Sequence, residues 1–472
     1  MRIPRANPTV RRTTVVAAVL VCVALVTAAC GGGGGGNDND GGAADGKLPP
    51  CPLEALERAS KPVEVVVWHG LNEALLPAFE PLVEEFNRSQ SDVRVKLVAQ
   101  GGYDDVLEKF KAGLASGDLA DLMQLEDTAT QLAADTQAIF PAQACMEAED
   151  FPIADVLPRV TSYYSVDGVL LPAYFNTSNP ILYYDKAAFE KAGLDPDTPP
   201  ATLEEVKEYS EKLVAAGYPQ GFALKTEPWF LEQWSAKGGV TYVNNGNGRR
   251  ARATAVTWDN PVMTEVFTWM KEMVDRKLAV ATTGIDNFFA VRNGEAAMTI
   301  DTSAALGRVT EVIESGQGGA VRLGVGPMPG PSGRGGVLVG GGGWYLSKRS
   351  APEKIAAAWK FAKFLLEPRN AAFFSANTGY LPIRKAALDE PVLTEQWARY
   401  PGFRIAYEQL VKGVNNDATA GPLIGDYVGL REVALNAMQQ MFTRGKDPKA
   451  ALREATRKAN EVIREYNERI GG

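Results

Sequence analysis

Val63-Glu64-Val65-Val66-Val67-Trp68 is an apolar run of strand length, the pattern of a strand buried on both faces. Leu75, Phe79, Leu82, Val83 and Phe86 then recur at helical spacing. Pro77 and Pro81 fall within that stretch and predict a bend or a late start. Val93-Arg94-Val95-Lys96-Leu97 alternates apolar with charged and predicts a second strand. Residues 103–114 have helical character ending near Gly117, and residues 121–125 predict a third strand. A β-α-β-α-β order implies a parallel sheet with helices on its faces. Ligands of such sheets sit beyond the C-terminal strand ends. Those ends here are Trp68-His69-Gly70, Gln100-Gly101-Gly102-Tyr103 and Leu125-Glu126-Asp127-Thr128.

The middle of the chain reads as richer in helix. Leu203, Val206, Tyr209 and Leu213 share one face of a helix over residues 203–216, and residues 263–278 predict another. Between them Asn244-Asn245-Gly246-Asn247-Gly248-Arg249-Arg250 reads as a surface loop. Ala297-Met298-Thr299-Ile300 predicts a strand returning to a sheet, and the glycine- and proline-rich residues 324–336 a loop at a crossing or hinge. Ser350-Ala351-Pro352-Glu353 predicts a capping box with proline in the first turn. Ile355, Ala358, Trp359, Ala362, Leu365 and Leu366 make the apolar face of that helix. Asp447-Pro448 starts the last helix, which places Leu452, Ala455, Ala459, Val462 and Tyr466 on one side. No repeat of solenoid length interrupts this α/β pattern.

The N-terminus changes the compartment. Arg2, Arg5, Arg11 and Arg12 precede an uncharged apolar run over residues 15–29, closed by Thr27-Ala28-Ala29-Cys30. A basic region, a short apolar region and small residues before a cut site make an export signal. The run is shorter than the roughly 20 apolar residues that span a bilayer. Cys30 directly after the small residues resembles a bacterial lipobox, which implies that Cys30 is the lipid-bearing anchor of the processed chain. Residues 31–36 are all glycine, and with the polar stretch after them residues 30–60 read as a flexible linker. Arg11-Arg12 is compatible with twin-arginine export as well as the general route.

The 472 residues suit two or three domains, or two lobes of one interleaved chain, and 45% apolar content allows a sizeable core. Formal net charge is −8, and removal of the four signal arginines makes the remainder more acidic. With no basic stripe, nucleic acid is excluded as a partner. Cys51 and Cys145 are left as an exported pair, which predicts a disulfide. His69 is the only histidine, so no zinc cluster forms, and neither a G-x-S-x-G turn nor a phosphate loop occurs. A glycosidase stays open because it needs only two carboxylates; Asp127 with Glu126 or Glu232 would be the pair.

Three segments carry a family resemblance: Val67-Trp68-His69-Gly70, then residues 175–186 (Phe-Asn-Thr-Ser-Asn-Pro-Ile-Leu-Tyr-Tyr-Asp-Lys), then residues 377–383 (Asn-Thr-Gly-Tyr-Leu-Pro-Ile). With Gly340-Gly341 and the closing helix, the chain over residues 62–468 resembles extracellular solute-binding proteins (family 1) of ABC importers. The likeness is greatest to glycerol-3-phosphate and glycerophosphodiester-binding lipoproteins. The resemblance implies a two-lobed periplasmic-binding-protein fold with discontinuous lobes, a hinge and a cleft between them. It assigns residues 61–174 and 299–346 to the N-terminal lobe, and residues 175–298 and 347–472 to the C-terminal lobe. It implies a monomer on the outer face of the cell membrane that hands a small polar solute to a permease, without enzymatic activity, cofactor or metal.

The resemblance also implies residue roles. Tyr103 and Asp127 match ligand-contacting positions on the first lobe. Thr177, Ser178 and Ser303 match hydroxyl-bearing positions near the crossing. Gly341 matches a backbone contact, Tyr380 a phenol that contacts phosphate, and Trp229 one of two tryptophan walls. The second wall falls near Lys225-Thr226, where no aromatic stands. The phosphate-binding arginine of the pattern falls on Leu423. Arginine is the residue type suited to phosphate, so its loss shifts the expected solute toward a glycerophosphodiester or a carbohydrate. Lys225, Lys237 and Arg384 are the candidate replacements for the missing cation.

Overall fold

The strand predicted from the valine run is β1 (Val63–His69), with Val65 and Val67 fully buried. In the computed structural model, which describes residues 48–331 and 335–471, β1 pairs in parallel with β2 (Val93–Ala99) and β3 (Leu122–Glu126). The helix between β1 and β2, Leu76–Ser89, starts late, with Pro77 in its first turn and Pro81 inside. Phe79, Leu82, Val83 and Phe86 form its buried face. Helix Tyr103–Ser116 returns to β3 and ends at Gly117 in the left-handed conformation. The predicted β-α-β-α-β order is therefore present.

Three short strands follow, β4 (Ile139–Phe140) and the hairpin of β5 (Ser165–Val166) with β6 (Val169–Leu170). The first sheet is completed by β7 (Ala173–Ser178) and by a long strand from far along the chain. A second sheet collects β8 (Pro180–Asp185), β9 (Phe222–Lys225), β10 (Ala279–Thr282), β11 (Met298–Thr302) and β12 (Leu323–Pro327), in the order β10-β9-β11-β8-β12. The long strand β13 (Gly340–Ser347) then returns to the first sheet, antiparallel to β3, β4 and β7. The first-sheet order is β2-β1-β3-β13-β4.

These pairings correct the lobe boundaries. Phe175 to Ser178 belong to the first sheet, and only Asn179 separates β7 from β8. Residues 299–327, expected in the first lobe, supply β11 and β12 to the second sheet. A strand such as β11, buried at four of five positions, carries no sign of which sheet it joins. Helix Pro352–Leu365, expected in the second lobe, packs on β1, β13 and the N-terminal helix Leu53–Glu57 of the first.

Three local expectations also change. Residues 324–327 are strand, not loop: Gly324 lies under the Tyr184 ring, where an added Cβ would come within 2.3 Å of it. The capping box at Ser350 is absent: Ser350 Oγ donates to buried Asp121 (2.7 Å), and Ala351 is the cap residue. Residues 244–250 make a tight turn whose Arg249 is anchored, donating to the carbonyls of Gly421, Ser162 and Tyr163. The capping box instead closes at Thr202 and Glu205, ahead of helix Leu203–Ala215. The Cys51–Cys145 disulfide is present and ties the chain before β1 to helix Ala142–Ala148.

Candidate functional site

The C-terminal ends of β1 and β3 and the first turn of helix Tyr103–Ser116 open onto a cleft of about 750 Å³ between the two sheets. Gly70, Gly102, Tyr103, Glu126 and Asp127 line it from the first sheet, and Lys225, Trp229 and Asp301 from the second. Ser178, Gly341 and Tyr380 line it at the crossing. The volume lies within the range of small-molecule pockets.

The crossing wall is a polar network. With its amide oxygen toward the phenol, Asn176 accepts from the Tyr103 hydroxyl (2.6 Å) and pairs with the Gly342 backbone at 3.2 and 3.3 Å. The Tyr103 and Tyr380 phenols are hydrogen-bonded neighbours. Burial, and for Tyr103 the adjacent phenol, raises both acidities' pKa values, so both hydroxyls stay protonated at neutral pH. Gly341 has φ +108°, and a Cβ there would meet the Asn176 carbonyl oxygen at 2.0 Å. Only glycine allows β13 to pass so close to β7.

Asp127 opens a short 3-10 turn at the end of β3, but its side chain does not cap it. One oxygen accepts from the Tyr163 hydroxyl at 2.6 Å, and the residue is 4% exposed. Burial, reinforced by neighbouring Glu126, pushes its carboxyl well above the usual range. Glu126 takes part in an ion triad. The Arg431 guanidinium forks onto Glu126 (3.0 and 3.1 Å) and onto Glu232 (2.8 and 3.0 Å). Burial opposes the Arg431 charge, but both carboxylates outweigh it and hold its pKa above the ordinary value. Burial raises Glu232 despite that guanidinium.

On the opposite wall, Lys225 Nζ lies 3.0 Å from Asp301 and 3.1 Å from Glu227. Asn287 Nδ2 donates to Asp301 at 2.8 Å. Burial raises the Asp301 pKa in spite of Lys225. Trp229, on helix Pro228–Lys237, is 7% exposed and packs against Gly340.

Six of the eight ligand positions implied by the resemblance thus meet in one cleft: Tyr103, Asp127, Ser178, Trp229, Gly341 and Tyr380. Thr177 and Ser303 do not line it. They sit behind the crossing, fully buried, where Thr177 O accepts from Leu381 and Ser303 N donates to Asn179. Their hydroxyls meet no partner among the described residues. Strand alternation turns Thr177 away from the face that carries Ser178. His69 is buried against Phe79, and burial lowers its pKa. Leu423 lies in the apolar core with Val106, Phe110 and Tyr345. Of the candidate replacement cations only Lys225 lines the cleft. Arg384 binds Asp155 away from it, and Lys237 packs against Gly330 and Gly335. Arg431, Glu227 and Asp301 went unforeseen. Arg431 had no local signal, because an arginine within an amphipathic helix reads as surface. Among the described residues no three His, Cys, Asp or Glu side chains group to hold a metal, and no helix is long and apolar enough to cross a membrane.

Two sheets joined by short crossings, with a polar and aromatic cleft between them, define a two-lobed solute-binding protein. A model of the bacterial extracellular solute-binding protein family matches residues 81–405, and the chain belongs to that family. It is 28% identical over 431 residues to the sn-glycerol-3-phosphate-binding periplasmic protein UgpB of Escherichia coli O6:K15:H31, covering 88% of this chain and 95% of that one. Its fold superposes on UgpB from Mycobacterium tuberculosis in complex with glycerophosphocholine (TM-score 0.72, 23% identity, 86% and 99% covered). It superposes equally on the GacH receptor of Streptomyces glaucescens, whose structures include a complex with acarbose (TM-score 0.72, 20% identity, 86% and 99% covered).

Proposed function

We propose that the protein captures a small hydroxylated solute, a glycerophosphodiester or a carbohydrate, between its lobes and presents it to an ABC-type permease. The observation that carries this reading is the convergence of Tyr103, Asp127, Ser178, Trp229, Gly341 and Tyr380 on one cleft. Trp229 offers an apolar face for a sugar or glycerol backbone, and the protonated phenols donate hydrogen bonds. Asp127 and Glu126 accept from ligand hydroxyls. A ligand touching both walls favours closure by population shift, and no covalent step is involved. Free glycerol 3-phosphate is the weaker candidate, because Leu423 is apolar and Lys225 is already paired with two carboxylates.

The name of the Escherichia coli relative, the glycerophosphocholine complex and the GacH complex with acarbose support the two solute classes. The test is a thermal-shift and calorimetry panel of glycerol 3-phosphate, glycerophosphodiesters and oligosaccharides. Saturating solute at 100 times its dissociation constant raises stability by about 2.7 kcal/mol. A panel without any shift, together with release of product from glycosides, would favour the glycosidase instead.

We further propose export by residues 1–29 and lipid attachment at Cys30, on a linker shorter than the expected 30–60, because Cys51 is disulfide-bonded and helix Leu53–Glu57 packs on helix Pro352–Leu365. Residues 1–47 of this segment lie outside the described residues. Cys30→Ala is expected to release the protein from the membrane fraction. Retention of the variant there would refute the anchor.

A further inference from the structure

The cleft does not end at its polar walls. It continues between helix Asp286–Arg292 and helix Leu306–Glu314 into a section lined by Ile285, Phe288, Phe289, Val309, Val312 and Ile313. Helix Leu306–Glu314 is amphipathic, yet only Leu306 on it is buried. Val309, Val312 and Ile313 face the cavity half-covered. Opposite them Phe288 rests edge-on against Tyr183 (5.1 Å), while Phe289 is 43% and Ile285 62% exposed. Four large apolar side chains are this exposed among the described residues, and two of them stand here, at the mouth of the same cavity.

We propose that the solute is amphipathic: its polar head occupies the carboxylate and phenol end, and a short acyl or alkyl chain fills this apolar extension. The inference rests on the reading of the cleft as a solute site. Continuity of one cavity makes the ligand itself the occupant of the apolar faces. A plain sugar or glycerophosphodiester offers hydroxyls there, but no carboxylate stands among the residues just named, and the Tyr183 phenol already donates to Thr302 O (2.7 Å). An apolar chain removes Ile285, Phe289, Val309 and Val312 from water, and each well-buried methylene is worth about a fourfold gain in affinity. Arg292 and Arg308 stand at the rim of the extension, with Arg308 paired to Glu311 at 2.7 Å.

The test is calorimetry with two probe series below their micellar concentrations. One is glycerophosphocholine with its monoacyl homologues of two to eight carbons; the other is maltose with its alkyl maltosides of the same lengths. The proposal expects one series to tighten by about two- to fourfold per methylene until the extension is full. Phe289→Ser and Val312→Ser should flatten that slope, and binding of the untailed head is measured beside it as the control. A head that binds with no gain on lengthening overturns this inference and leaves the solute reading standing. Failure of both heads and all their homologues overturns the solute reading itself. Equal binding of octanoate without any head overturns the amphipathic ligand and assigns the apolar faces to a different occupant.

Discussion

Arg431 and Glu126 lie 3.0 Å apart across 305 positions of sequence, and the same guanidinium grips Glu232 at 2.8 Å. Glu126 ends a strand of the first sheet, while Glu232 and Arg431 stand on helices packed with one another. The triad is largely screened from water, since Glu232 is 1% and Arg431 18% exposed at the side chain. Breaking such a cluster leaves like charges facing each other in a low-dielectric site. Arg431→Met is expected to cost about 3–5 kcal/mol, read as a fall in the urea midpoint. The double variant Arg431→Met/Glu232→Gln should recover part of it. Equal stability of wild type and single variant would show that the triad contributes nothing net.

Asp127 should matter to binding more than to folding. Asp127→Ala and Trp229→Ala are each expected to weaken solute binding at least about tenfold, the scale of one lost charged hydrogen bond or aromatic contact. Circular dichroism should be unchanged. Calorimetry giving wild-type affinity for both would remove these residues from the site.

The same carboxyl sets a pH dependence. Burial holds the Asp127 proton more tightly in the folded than in the unfolded chain. The native state therefore binds more protons between the ordinary aspartate value, about 3.9, and the raised native value. Stability from this group is fully present below that window and is lost as pH rises through it. Melting temperatures of wild type and Asp127→Asn, compared from pH 4 to 8, should diverge upward: the variant gains relative stability as pH rises. Parallel curves would contradict the raised carboxyl.

Thr177 and Ser303 allow a sharper separation of roles. Their hydroxyls are buried without partners among the described residues, a cost of about 1–3 kcal/mol each. Thr177→Val and Ser303→Ala are expected to hold or raise the melting temperature and leave affinity within about twofold. A loss of affinity at either position would bring that hydroxyl into the solute site.

The disulfide closes a separation of 94 residues. Cys51→Ser is expected to lower stability by about 4 kcal/mol, the order given by loop-closure entropy for that length. Denaturation with and without reductant measures it, and the variant should be insensitive to reductant.

The first sheet was legible because β1, β2 and β3 are sequential, apolar and separated by helices of ordinary length. Their C-terminal ends, Gly70, Tyr103 and Asp127, follow from topology alone and do line the cleft. Membership of β11, β12 and helix Pro352–Leu365 was not legible, because a buried apolar segment looks the same in either sheet. The crossing at Asn179 was hidden for a different reason: the polar Asn176-Thr177-Ser178-Asn179-Pro180 does interrupt the apolar pattern, but strand continues on either side of Asn179, so no loop marks the change of sheet. Ion pairs of high sequence separation, such as Arg431 with Glu126 or Lys225 with Asp301, leave no local trace. Six of the residues that the resemblance implies line the cleft, while Thr177 and Ser303 lie behind the crossing, since a resemblance carries positions and not side-chain directions.

Asn179 is the whole of the connection between β7 and β8, and its side chain is held on both sides. Its amide donates to Ala406 O (2.9 Å) and accepts from Gln409 (2.6 Å), while its carbonyl accepts from Ser303 (2.9 Å). A one-residue joint offers a single pair of backbone torsions. Opening the jaws about it therefore cannot be a local event: the turn at Ser303 and helix Phe403–Lys412 must swing as one piece with the pivot or surrender three hydrogen bonds.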